Sequence, residues 1–477
     1  MTVSFRPCAS PEPRTGGRPI VETRHRLMRI VDDLTQFDLP GESIITIGAF
    51  DGLHRGHQAL IGHVLRRARE TGCTAALVTF HPHPAAVLAP ERAPLLLTTP
   101  AEKAALLEEM GLDLMVLLPF DRPTAATPAR AFMETLCAHL HPREIWVGAD
   151  FALGRGREGD VAFLSKLGRE LGYQIRPLQP VRENGQVISS SRIRALLERG
   201  DVEEAGRLLG RHPRLSGEVV YGAQRGRTLG FPTANLEIPP GRAVPANGVY
   251  ATLVRIGEER YRGVTNVGVR PSFDNGRRTV ETHIFDFDED IYGCRLTVEF
   301  IARLRDERRF ENIGDLVAQI RQDGDRARRL LARYETSGAR SSCPYHYREV
   351  PHTADRALQV WGRTLPDLFV GAARGMYSLM AEPEDLLAVR WQEIQLEAPD
   401  RETLLVDWLN ELLFLTEVEE LLFAEFRITS LNGTTLQAQA GGTVAPIGKA
   451  HIKAATFHDL RIVREGDGWS ALITFDV

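Results

Sequence analysis

The sequence predicts a multidomain α/β protein: a parallel-sheet domain, then a small antiparallel β-barrel, then an α+β domain. Three observations lead there. The 477 residues are too many for one hydrophobic core and suggest about three units. Apolar runs alternate with helical spacing through the first two hundred residues, which is the pattern of a parallel α/β sheet. From about residue 214 the pattern changes to short alternating runs broken by Gly, Pro and Asn turns, as in a closed antiparallel barrel.

In chain order, residues 1–30 are rich in Pro, Gly and Arg without periodicity and read as a flexible extension. The run 43–49 (SIITIGA) predicts a strand, and 57–70 carries Leu60, Ile61, Val64 and Leu65 at helical spacing. Further buried strands are expected at 75–80, 114–118 and 144–148, with helices at 100–110 and 128–140, giving a first domain over 31–205. Barrel strands are expected at 216–221, 249–256, 261–267, 279–286 and 295–302, and a helix at 311–334, giving a second domain over 212–335. A Ser- and Gly-containing linker at 336–346 leads to a third domain, 347–477. There the expected strands are 391–397, 426–431, 435–439, 461–463 and 470–476, and the expected helices are 365–380 and 400–415, the latter with Leu404, Leu405, Trp408 and Leu412 inward.

Composition narrows the function classes. No apolar run approaches the roughly 18 residues of a membrane span, and the N-terminus lacks the apolar core of a secretory signal, so a cytoplasmic address is expected. The five cysteines are scattered without a CxxC pair and are expected to be mostly reduced thiols. From Tyr347 onward there are 20 acidic against 11 basic residues in a chain of net charge -5, so the first two thirds are mildly basic. That suits polyphosphate substrates in the first part, and no direct nucleic-acid binding is expected of the last.

The strongest motif is GAFDGLHRGHQ at 48–58. Gly48, Gly52 and Gly56 let backbone approach a phosphate chain, and His54 and His57 can point together at it from a helix start. Attack of one phosphate on another's α-phosphorus needs positioning and charge neutralisation rather than a covalent intermediate. ISSSRIR at 188–194 adds Ser190, Ser191, Arg192 and Arg194 at a second helix start, suited to the β- and γ-phosphates. An isolated HxGH more often marks two surface histidines, and the second motif is what reverses that reading.

With TFHPHP at 79–84, LTTPAEKAALLEEMGLD at 97–113 and VGADFALGRGREGD at 147–160, this stretch resembles the FMN adenylyltransferase module of bacterial FAD synthetases, in the HxGH nucleotidyltransferase superfamily. The resemblance implies that His54 and His57 hold the ATP phosphates and that Ser190, Arg192 and Arg194 contact the triphosphate. Phe50 and Asp51 fall in the same binding loop, and Asp150, Gly154, Arg157 and Gly159 would shape the nucleotide and flavin pocket. Ala49 departs from the family's usual Asn, and Ala152-Leu153 from a frequent Arg-Phe.

In GAQRGRTLGFPTANLEI at 222–238, Thr233 and Asn235 are neutral oxygen ligands two apart on an extended segment, suited to a magnesium shell completed by water and phosphate. Glu281, in VETHIFDF, alternates with apolar neighbours and could act as a base. With ANGVYA, TNVGVRPSF, DFDEDIYG and LRDERRF, residues 212–335 resemble riboflavin kinase. The resemblance implies ATP, Mg2+ and flavins as ligands, Gly226, Arg227 and Gly230 in nucleotide binding, Thr233 and Asn235 as metal contacts, Glu281 as general base, and Arg305 in the flavin-side loop.

Asp355 in HTADRALQV and Asp476 in the closing FDV are two carboxylates that could converge on a divalent metal, although ordinary surface acids would look the same. With APDRETLLVDWLNELLFL and IKAATFHDL, residues 347–477 resemble archease, which assists the RNA ligase that joins tRNA exon halves. The resemblance implies Asp355 and Asp476 at a metal site, roles for Lys453 and His458, and an RNA ligase as partner. Two other readings stay open from the residues alone: an HxGH adenylyltransferase for a pantetheine or nicotinamide nucleotide, and an accessory protein with degenerate flavin sites. The adjoining kinase-like barrel argues against the first, and the intact motifs against the second.

Overall fold

The computed structural model describes residues 28–222, 226, 229–269, 278–334, 336, 343–350, 356–381, 386–445, 447–458 and 460–477. Arg227, Asp355 and most of the expected N-terminal extension lie outside the described residues.

The first module is a six-stranded parallel sheet in the order Arg29–Val31, Leu114–Pro119, Thr74–His81, Ser43–Ile47, Pro142–Gly148, Gln174–Leu178. Arg29–Val31 thus enters the sheet edge inside the segment expected as extension. All five residues of Ser43–Ile47 are buried, as a central strand covered on both faces requires. The helix Arg55–Thr71 follows, with Leu60, Ile61, Val64, Leu65 and Ala68 buried and Gly72 closing it at φ 70°. Strand order reverses between Ser43–Ile47 and Pro142–Gly148, and this switch opens a crevice at their carboxyl ends, where 48–57 and 148–150 lie.

The second module is a closed antiparallel barrel in the order Arg214–Val220, Ala234–Glu237, Arg278–Ile284, Glu259–Val269, Gly248–Ile256, Arg295–Arg305. Ala234–Glu237, an extended segment absent from the expected barrel strands, is the strand that closes the barrel. Inside, buried hydroxyls of Thr252, Thr265 and Thr282 form a ladder with 2.9 Å spacings. Because strand residues alternate, Thr282 inside puts Glu281 and His283 outside. The helix Ile313–Leu331 covers that outer face, packing Ala327 and Leu331 against Val249, Ala251, Leu253 and Phe285.

The third module sets the helices Leu365–Met380 and Arg401–Glu419 against two antiparallel sheets, with Leu404, Leu405, Trp408 and Leu412 fully buried as expected. Its first strand, Tyr345–Val350, begins inside the expected linker. It lies against the barrel: Tyr347 donates from its hydroxyl to Glu218 at 2.6 Å and from its amide to the Tyr292 carbonyl at 3.2 Å. That contact corrects the cysteine expectation. Cys294 and Cys343 are brought to a Cα separation of 6.4 Å and form a disulfide, whereas Cys73 and Cys137 are free thiols. The third module also reaches the first, where Leu387 joins the core around the helix Arg55–Thr71.

Candidate active sites

The first cleft is built on the loop after Ser43–Ile47. His54 caps the helix Arg55–Thr71: its Nδ1 accepts from the His57 amide at 3.3 Å, which leaves Nε2 to carry the proton. The two imidazoles stack with centroids 3.7 Å apart. Burial pushes His54 down to about 4 and His57 well below the usual histidine range, the latter helped by the positive charge of His54 and Lys103. Both imidazoles are therefore neutral at pH 7. His57 Nδ1 and Arg192 Nη1 are buried with no hydrogen-bond partner among the described residues, as expected of groups that a ligand would satisfy.

Other predicted residues prove to be spoken for. The Asp51 carboxylate accepts from the amides of Leu97 at 2.9 Å and Thr98 at 3.1 Å and pairs with Arg194, whose Nε donates to the Leu95 carbonyl at 2.6 Å. Ser190 Oγ donates to the Asp51 carbonyl at 2.8 Å, so the second motif is tied to the first through Asp51. Ser191 is exposed on the helix Ser190–Glu198, and Arg192 pairs with Glu204 at 3.3 Å.

Gly148 and Asp150 lie at the crevice beside Gly48, and Arg157 donates to the Asp150 carbonyl at 3.2 Å. Gly154 and Gly159 serve packing: a Cβ on either would lie 2.6 Å from Ala129, at the start of the helix Ala129–Leu140.

The second cleft is a cavity of about 530 Å³ between the barrel's outer face and the helix Ile313–Leu331. It is lined by Gly226, Thr233, Asn266, Glu281 and Arg305 among polar and small residues, and by Val249, Val264, Phe285, Phe310 and Ile320 among apolar ones. Its size and mixed lining suit a planar organic ligand. Glu281 stands directly opposite Asn235 on one neighbouring strand and Asn266 on the other, so three polar side chains form a row across three strands. Thr233 lies two residues from Asn235 and opens both to this cavity and to an adjoining one of about 360 Å³ beside 287–292. Gly230 sits nearby at φ 83°. Arg305 Nε donates to Asp323 at 2.9 Å, joining the barrel to the helix.

In the third module, Ala454 pairs with Asp476 across adjacent strands, and Lys453 donates from its amide to the Asp476 carbonyl at 2.8 Å and from Nζ to the Val477 carbonyl at 2.9 Å. The structure thus brings Lys453 to Asp476, while His458 is exposed. Among the described residues no group of three or more His, Cys, Asp or Glu could hold a metal ion.

Family models match three stretches: FAD synthetase over residues 37–192, riboflavin kinase over 209–331 and the archease protein family over 347–477. A curated relative from Escherichia coli (strain K12), a bifunctional riboflavin kinase/FMN adenylyltransferase, is 39% identical over 309 residues, covering 64% of this chain and 98% of the relative. The chain belongs to the bifunctional riboflavin kinase/FMN adenylyltransferase family. A Bacillus subtilis (strain 168) member is 36% identical over 296 residues, covering 61% of this chain and 93% of its own. A solved structure from Streptococcus pneumoniae, described as a macrolide-efflux protein, is 32% identical, covers 63% of this chain and 99% of that one, and superposes with a TM-score of 0.59. Among the described residues no helix of this chain is long and apolar enough to cross a membrane. This member of the bifunctional family therefore carries an archease domain after its two transferase modules.

Sequence reasoning missed several residues that these sites use. Lys103 is buried, and its Nζ donates to the Ala49 carbonyl at 2.7 Å and to Thr79 Oγ1 at 3.1 Å. Its signal was available, since a lysine sharing a helical face with Leu106 and Leu107 is out of place on a buried stripe. Asn266 and Asp323 carried none, because only register and docking bring them to the cavity.

Proposed function

We propose that this chain phosphorylates riboflavin to FMN in the barrel cleft and adenylylates FMN to FAD in the crevice of the parallel sheet. In the first step the riboflavin 5′-hydroxyl oxygen bonds to the γ-phosphorus of ATP, its proton passes to Glu281, and ADP leaves. Thr233 and Asn235 offer neutral oxygens of the kind Mg2+ takes beside phosphate, and the ion would neutralise charge on the transferring phosphoryl group. In the second step an FMN phosphate oxygen bonds to the α-phosphorus of a second ATP, and pyrophosphate leaves. Neutral His54 and His57, the amides at the start of the helix Arg55–Thr71, and Arg192 bind and orient the phosphates. Asp51 and Arg194 act behind them by locking the two loops together.

The observation that carries the reading is the row Asn235, Glu281, Asn266, of which Glu281 and Asn266 line the cavity of about 530 Å³, in a chain that also stacks His54 on His57. A chromatographic time course with riboflavin, ATP and Mg2+ tests it. His57→Ala should abolish FAD and spare FMN, and Glu281→Ala should abolish FMN while still converting supplied FMN to FAD. Equal loss of both activities in either variant would sink this division of labour.

For the archease domain we propose stimulation of a tRNA-joining RNA ligase, with Asp355 and Asp476 as metal ligands and Lys453 beside them. Its support is the family resemblance and the acidic balance, which suits a protein partner better than RNA. Unchanged ligase–GMP formation on adding the purified chain with a divalent metal would count against it. A cytoplasmic site of action fits the nucleotide substrates of all three roles.

A further inference from the structure

The loop that delivers His54 and His57 has an improbable backbone. Phe50, Gly52 and Leu53 have φ of 49°, 80° and 41°, a region in which bulky side chains persist only when the surroundings over-determine them. Six side chains do so here. Thr79 Oγ1 donates to the Ala49 carbonyl at 3.1 Å and Gln58 Nε2 to the Leu53 carbonyl at 2.8 Å. Lys103 holds the Ala49 carbonyl at 2.7 Å and Ser190 the Asp51 carbonyl at 2.8 Å. Arg211 takes the next two, donating from Nη2 to Gly52 at 2.7 Å and from Nη1 to Leu53 at 3.2 Å. Thr98 Oγ1 accepts from the Gly52 amide at 3.1 Å. Carbonyl oxygens tied back in this way do not present their negative ends to a polyphosphate.

Arg211 does not belong to the transferase stretch. It follows the turn at Gly210 and leads into the barrel, within the span matched by the riboflavin kinase family and beyond residue 192, where the FAD synthetase match ends. A second kinase-module arginine acts on the same scaffold. Arg242, buried with its partner, donates to Glu102 at 2.8 Å and to the Leu96 carbonyl at 2.8 Å. Glu102 precedes Lys103 on the helix Pro100–Glu109, and Leu96 is hydrogen-bonded on both sides to Gly241 and Ala243. Two arginines of the kinase module thus brace the HxGH loop and the helix behind it.

We infer that Arg211 is a positioning residue for adenylyl transfer, supplied by the kinase module, so that the transferase site is complete only when that module is docked. The inference rests on the reading of His54 and His57 given above. A guanidinium reaches the two carbonyls from two nitrogens of one rigid planar group, a spread that the single nitrogen of an ammonium does not reproduce.

The test uses the full chain as wild type, Arg211→Ala, Arg211→Lys and His57→Ala, with kcat and KM measured separately for FMN adenylylation and riboflavin phosphorylation. Misplacement of a catalytic loop by a fraction of an ångström to an ångström costs about tenfold to a hundredfold. Arg211→Ala should therefore lower the adenylylation kcat by at least about tenfold, with KM for FMN and the phosphorylation rate within about twofold of wild type. Arg211→Lys should lie between, and added guanidinium ion should restore part of the loss in Arg211→Ala. Adenylylation within twofold of wild type, or a parallel fall in phosphorylation, would overturn the inference. If Arg211→Ala does not fold, Arg211→Lys decides: an intermediate kcat supports the inference and an unchanged one overturns it. FAD synthesis surviving in His57→Ala would instead overturn the underlying reading, and this inference with it.

Discussion

Replacing Asp51 by Asn changes one oxygen for an NH2 group at the point where three segments meet. The Asp51 side chain is 4% exposed and its partner Arg194 14%, so the pair is shielded enough for its loss to matter. Breaking a buried pair costs about 3–5 kcal/mol, and the lower figure applies because Arg194 keeps the Leu95 carbonyl and some water. The new NH2 also faces the Leu97 and Thr98 amides, or leaves one of them unsatisfied, for about another 1 kcal/mol. A loss of about 4 kcal/mol in a domain of this size corresponds to a fall of roughly 10 °C in melting temperature. Calorimetry of the full chain should show a transition lowered by that amount, and FAD formation should fall while riboflavin phosphorylation persists below the new midpoint. A shift under about 2 °C with FAD synthesis intact would refute the clamp assigned to Asp51.

Two pH dependences follow from other buried groups. Burial pushes Lys103 down to about 8 from an ordinary 10.5, so between those values the unfolded chain binds more protons than the folded one, and stability should rise with pH across that window by up to about 3 kcal/mol. Urea midpoints at pH 7.5 and 9.5 should show that rise in wild type and a flatter response in Lys103→Met; equal slopes would refute it. Burial pushes Glu218 up to about 7 from 4.5, despite the opposing Tyr347 hydrogen bond. Its contribution is then full below pH 4.5 and is lost as pH climbs to 7, so the contact between barrel and C-terminal domain should weaken over that range. Thermal unfolding at pH 5.0 and 7.5 should show this loss in wild type and little of it in Glu218→Gln, and identical responses would refute it.

Much was legible in the amino-acid sequence. Helical and alternating periodicities revealed the parallel sheet, five of the six barrel strands and the buried stripe around Trp408, because those patterns are local and record which face is covered. GAFDGLHRGHQ, SSSRIR and PTAN were recognisable as motifs for the same reason, since each is a short run of neighbouring residues. The Ala49 substitution carries a lesson in the other direction, since what the structure uses at that position is its carbonyl, held by Lys103 and Thr79.

Tertiary structure alone decided the rest. The row Asn235, Glu281, Asn266 depends on strand register, which no single strand encodes. The pairing of Arg194 with Asp51, 143 residues away, exists only in the fold. Arg211 and Arg242 look like ordinary surface charges until the barrel docks and buries them against Gly52, Leu53 and Glu102. Cys294 and Cys343 look like isolated thiols until the Tyr345–Val350 strand lies beside the barrel. In each case the energy that fixes the arrangement comes from packing between segments far apart in the chain, whereas periodicity and motif report only on residues close together.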